Sequence, residues 1–284
     1  MHFAIMLALL ATIKVTLQGA FSKGKIRVIR DSFVLNGLIF ATTAVVLALL
    51  FLRAVPSWQT MLFSLVSGIS GLCFQLFYIL AMRKGSLSMT VTITQFNFVV
   101  PMTLGALLYQ EAITPFNLVG MVLLSVACIL FRKGGKTRLD PAWFPLAILA
   151  CLFSGIGNGI SVVFTHAPFA GEKELFVLGS NVVSAILCGV IALILRKPDT
   201  PKFPLDRSLL LGLPVIGMAL GGYNLLMLVA LASGVKSGVL YSVANVFTLI
   251  FISCCDWIFF RERWTKRIWI GMIFGVIAVA IINL

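Results

Sequence analysis

The sequence predicts an all-α integral membrane protein, with ten transmembrane helices as two inverted five-helix repeats. Three observations carry that prediction. Of the 284 residues, 60% are hydrophobic and 11% charged, with a mean hydropathy of +1.09; a soluble domain of this length could not hide so many apolar side chains. The apolar residues gather into ten runs, most of them about as long as a bilayer requires. A stretch also occurs twice: Tyr109 to Met121 is echoed by Phe260 to Met272, a constant shift of 151 that matches Glu111 with Glu262, Thr114 with Thr265 and Gly120 with Gly271. Upstream, at a shift of 149, Gly68, Phe74, Gln75, Ala81 and Gly85 fall on Gly217, Tyr223, Asn224, Ala230 and Gly234. Such a duplication places any function between two similar halves.

In chain order the predicted spans are 2–21, 32–52, 57–82, 86–109, 115–131, 142–166, 174–195, 208–232, 237–260 and 267–284. The first is expected to be retained as a helix rather than cleaved as a signal peptide. It has no basic leader, Lys14 interrupts its apolar run, and four basic residues follow it. Thr114-Pro115, Asp140-Pro141, Pro56-Ser57 and Thr265 supply capping oxygens or first-turn prolines at later helix starts. Long continuous runs without strict alternation indicate helices, not a barrel. The chain divides into a first repeat over 1–132, a cytoplasmic linker over 133–141 and a second repeat over 142–284.

The formal charge of +13 resides in short loops, so it reads as a topology signal and not as a nucleic-acid patch. Eighteen lysines and arginines lie in the loops after helices 1, 3, 5, 7 and 9, against three (Arg53, Lys173, Lys236) in the others. The positive-inside rule makes the rich side cytoplasmic and both termini extracytoplasmic, in a multi-pass cell membrane protein. With five helices per half the repeats must be inverted, and their loops do carry opposite charge bias: none around Glu111, four around Glu262. The six cysteines (Cys73, Cys128, Cys151, Cys188, Cys254, Cys255) all lie inside apolar segments without a CxxC spacing or acid cluster, so neither disulfides nor a metal or other cofactor is expected.

These features together resemble the EamA branch of the drug/metabolite transporter superfamily. The residues that carry the resemblance are Ala81 to Ser88 with Pro101, Glu111 and Gly120, and Ala230 to Ser237 with Glu262 and Gly271. Two departures stand out: Ile252 occupies the place of Pro101 in the second repeat, and the charge count puts the termini outside, where this superfamily is usually drawn with them inside. The resemblance implies alternating access to a small-molecule substrate in a bilayer, by a monomer or homodimer. It implies substrates ranging over amino acids, nucleotide precursors, sugars and drugs.

A transport pathway needs polar groups at mid-depth, because polar atoms facing lipid cost several kcal/mol each. Helical periodicity selects Gln75 and Tyr78 on helix 3, Asn97 with Pro101 on helix 4, Asn158 on helix 6, Tyr223 and Asn224 on helix 8, and Tyr241 and Asn245 on helix 9. Pro101 cannot donate to the carbonyl of Asn97, which frees that oxygen for a ligand or a neighbour. Gln75 and Asn224, as repeat equivalents, are expected to meet near the pseudo-twofold axis. The alternative for every such stripe is helix packing through small residues, with amides as interhelical glue. Lys14 is the one basic residue well inside an apolar run. It receives an anionic substrate group, pairs with Asp256, or snorkels to the surface. Glu111 and Glu262 are expected to cap the following helix or pair with basic neighbours.

A mid-membrane lysine favours export or exchange of a neutral, zwitterionic or anionic metabolite, such as an amino acid or organic acid, by secondary transport. The alternatives are a multidrug or cation exporter, a lipid-precursor flippase and, least of all, a membrane-embedded enzyme. The only histidines are His2 and His166, and no catalytic or nucleotide-binding motif appears.

Overall fold

In the computed structural model the described residues are 2–51, 55–84, 90, 93–111, 114–130, 141–196, 203–260 and 266–282. Residues 131–140, which hold all of the linker but Pro141, lie outside them with Glu262 and Thr265, as do the side chains of Asp256 and Cys128. The described residues form α1 (His2–Lys25), α2 (Ile29–Phe51), α3 (Trp58–Lys84), α4 (Val99–Tyr109), α5 (Pro115–Leu130), α6 (Trp143–Thr165), α7 (Lys173–Ile194), α8 (Arg207–Ala232), α9 (Ser237–Phe260) and α10 (Lys266–Ile282). Seven of these are long and apolar enough to cross a membrane; the apolar stretches Gln95–Tyr109, Leu118–Ala127 and Trp269–Ala278 are shorter.

Several helix ends depart from the sequence expectation for visible reasons. Helix α1 continues to Lys25 instead of stopping near residue 21, and α2 begins at Ile29 instead of 32. At that corner the buried Asp31 accepts from the backbone N–H of Arg27 (2.9 Å) and Val28 (3.2 Å), satisfying amides a new helix leaves orphaned. Ser57 caps α3 by accepting from the Thr60 N–H, as expected. Helix α4 is entered through a 3-10 turn, Gln95–Phe98, directly before Pro101. The missing N–H of Pro101 and its ring loosen the preceding turn.

The bundle presents large apolar side chains outward, Leu49, Ile194, Leu107 and Trp58 being the most exposed of them within helices. A lipid-facing surface is stable in that form and a water-facing one is not. Inside, the small-residue stripes are helix contacts. A Cβ on Gly68 would lie 2.6 Å from Val183 of α7, and one on Gly217 would lie 3.1 Å from the Thr43 backbone of α2. Gly155 and Gly159 likewise receive Val100 and Leu104 of α4. Gly120 and Gly271 are buried on α5 and α10, which pack against each other. The packing alternative therefore holds for these glycines.

The principal pairings run between the halves. Helix α1 lies on α8 and α9, while α6 lies on α3 and α4; α2 lies on α7 and α8, while α7 lies on α2 and α3.

Candidate functional site

Helices α1, α3, α4, α6, α8 and α9 carry the predicted polar groups. The broken start of α4 brings several of them together. Asn245 on α9 donates through its amide both to the Gln95 carbonyl (3.0 Å) and to Asn97 Oδ1 (3.1 Å), and Asn97 donates to Ser154 Oγ on α6 (2.8 Å). A carbonyl of the 3-10 turn thus finds its donor on the opposite half, which is how irregular backbone is tolerated at membrane depth. The Asn97 carbonyl freed by Pro101 faces a neighbour: a Cβ on Gly155 would lie 2.9 Å from it. One turn towards the start of α9, the Tyr241 hydroxyl, with its residue only 1% exposed, donates to the Asn158 carbonyl (3.2 Å) and faces Ser161 and Tyr223. So Asn158 meets Tyr241 through its backbone, not its amide.

A second set is unanswered. Lys14, Gln75, Tyr78, Tyr223 and Asn224 make no side-chain hydrogen bond or ion pair among the described residues. Gln75 is buried at 6% exposure, whereas Lys14, Tyr78, Tyr223 and Asn224 keep part of their surface open. Gln75 and Asn224 share no hydrogen bond: α3 packs chiefly on α6 and α7, and α8 chiefly on α1 and α2. The amides that do meet are Asn97 and Asn245.

Because α1 runs on to Lys25, Lys14 sits about 16 Å from its end, at 1.5 Å per residue. The apolar span itself ends at Phe21, seven residues beyond Lys14, so snorkelling stands beside the other two roles. One turn earlier on the same face, Leu10 lies against Gly222 of α8, next to Tyr223. One turn later, Gln18 donates to Asn36 of α2 (2.8 Å), and Asn36 donates to the Ser32 carbonyl (2.8 Å). The sequence reading missed this pair, although the spacing of Lys14 and Gln18 on α1 carried the signal.

The basic-poor end of the bundle is tied by groups that sequence alone did not pair. Glu111 caps a helix far along the chain: its Oε2 accepts from the Ser237 N–H (2.9 Å) and Oγ (2.8 Å) at the start of α9. Glu172 does the same for α3, accepting from the Ser57 N–H (2.9 Å) and Oγ (2.9 Å). Tyr109 stacks on His166 at 3.7 Å. No group of three or more metal-ligating side chains occurs among the described residues.

Residues 2–133 match the model of the EamA-like transporter family. The match spans just under half of the chain. The recognition of an EamA-type member of the drug/metabolite transporter superfamily therefore stands, and the site above joins this EamA-like half to the helices that follow. A solved structure described only as "Crystal structure of protein" superposes with a TM-score of 0.75, covering 98% of this chain and 98% of its own at 15% identity. At that identity the likeness speaks for the fold alone. No curated protein matches the chain.

Proposed function

We propose that the chain is a secondary transporter of a small anionic or zwitterionic metabolite, built as two inverted five-helix repeats that alternate access to one central site. The interhelical pairings support the repeat. Advancing each helix by five converts α1 on α8 and α9 into α6 on α3 and α4, and converts α2 on α8 into α7 on α3. The ties support the sidedness. Glu111 to Ser237, Glu172 to Ser57 and Tyr109 to His166 each join two basic-poor ends, and Lys25 to Asp206 joins two basic-rich ones.

The observation that carries the substrate class is Lys14. A charged side chain at mid-depth is costly and marks a pathway by default, and this one has no carboxylate partner among the described residues. A carboxylate on the cargo would supply the charge, with the amides and hydroxyls of Gln75, Asn224, Tyr78 and Tyr223 placed for its other polar groups and rings. Pairing of Lys14 with Asp256, whose side chain lies outside the described residues, is the competing reading. A cationic drug would meet repulsion from Lys14.

In proteoliposomes loaded with radiolabelled amino or organic acids, exchange by Lys14→Met is expected to fall on the order of tenfold or more, the cost of losing one charge-assisted bond. Lys14→Arg should retain part of it. Wild-type exchange by Lys14→Met would contradict the assignment.

A further inference from the structure

The transport reading requires the two halves to part at each end in turn, and on that reading rests one more assignment. We propose that Gly105, Glu111 and Ser237 form a latch that holds the basic-poor end shut and releases when cargo leaves or enters there.

The latch is built into the end of α4. Gln110 is the one non-glycine residue with a left-handed backbone among the described residues, at φ 53°, a conformation that persists only where its surroundings over-determine it. This bend returns the Glu111 N–H to the Gly105 carbonyl at 3.1 Å and swings the carboxylate away from α5 towards the start of α9. There it accepts two hydrogen bonds from Ser237, which lies 126 residues further along the chain. Ser237 Oγ also lies 3.1 Å from the Pro101 carbonyl, so the serine touches α4 and the glutamate together. Gly105 makes the approach possible: a Cβ there would stand 2.5 Å from Ser237 Oγ and 2.6 Å from the Glu111 carboxyl carbon.

Three features suit this contact to a gate. A carboxylate on a helix N-terminus is favourable when formed, yet water can replace every bond when it opens, unlike an apolar interface. It joins α4 to α9, the helices whose Asn97 and Asn245 meet deeper in the bundle, so its release frees the roof over that junction. The Tyr109–His166 stack beside it holds the same end of α4 against α6.

The test is accessibility, which needs no knowledge of the cargo. Ser161→Cys places a thiol on α6 beside the Tyr241 hydroxyl, beneath the latch. A membrane-impermeant maleimide is applied from the basic-poor side, with the parent lacking the reporter as background. Glu111→Gln, Ser237→Ala and Gly105→Ala should each label roughly tenfold faster than the reporter alone. A variant that fails to purify as a monodisperse protein is set aside, and the remaining ones carry the result. Unchanged labelling in the folded variants overturns the latch. Because labelling is independent of substrate, that failure is distinct from a failure of Lys14→Met to affect exchange.

Discussion

The two ends of the bundle solve the same problem with different chemistry. At the basic-poor end the starts of α3 and α9 are each answered by a glutamate from the other half of the chain, Glu172 for Ser57 and Glu111 for Ser237. At the basic-rich end the start of α8 is capped locally, Asp206 accepting from the Leu209 N–H at 3.0 Å. The first half adds Lys25, paired with Asp206, and Thr90, whose hydroxyl oxygen accepts from the indole N–H of Trp143 at the start of α6 (2.9 Å). A cap that crosses between halves fastens them. A local cap leaves the start of α8 fastened by an ion pair, whose aspartate side chain is 55% exposed and well screened by water. Among the described residues, the helix starts at the basic-poor end are thus tied across the halves by carboxylates, whereas at the basic-rich end the start of α8 is tied by an exposed ion pair and the start of α6 by a buried indole–hydroxyl bond.

Substitutions ranked by size sharpen that contrast. Gly105→Ala is expected to destabilise most, by about 1–3 kcal/mol, because the added Cβ meets Ser237 and Glu111 at once and neither can retreat without breaking the cap. Its melting temperature in detergent checks this. Glu172→Gln keeps the shape but removes the charge facing the Ser57 N–H, and should cost about 1 kcal/mol by the same assay. Asp206→Asn and Lys25→Met should shift melting less than Glu172→Gln; an equal or larger shift would erase the contrast between the ends.

The Asp206 effect carries a pH signature. Its hydrogen bond with Lys25, then the bond from the Leu209 N–H, holds the carboxyl below the usual aspartate range. A carboxyl depressed in the folded state stabilises above its unfolded value of about 4 and loses that contribution as pH falls through the folded value. The melting difference between wild type and Asp206→Asn should therefore be complete near neutrality, begin to shrink near pH 4 and vanish once the pH is below the folded value.

Composition and the doubled Glu-to-Gly motif made the helical membrane class and the family legible in the sequence. The stripes made candidate lining residues legible but not their partners. Asn97 and Asn245 were both selected, yet their meeting depends on α4 unwinding before Pro101, a tertiary event that periodicity does not encode. Glu111 stood out in the repeat, and its proximity in sequence to α5 suggested a local cap. The left-handed Gln110 redirects it to a helix more than a hundred residues away, and nothing in a span prediction reports one backbone angle. Lys14 was legible because an isolated charge in an apolar run has few inexpensive explanations; its partner was not, because none is encoded in the run itself.

The most direct measurement of the central claim is thermal stability of the purified protein against amino acids, organic acids, nucleosides, sugars and lipophilic cations, for wild type and Lys14→Met. A cargo at a hundred times its dissociation constant stabilises the folded state by about 2.7 kcal/mol. The account predicts a shift with a carboxylate-bearing compound that disappears in Lys14→Met. Shifts produced only by cations, and unchanged by the substitution, would contradict it.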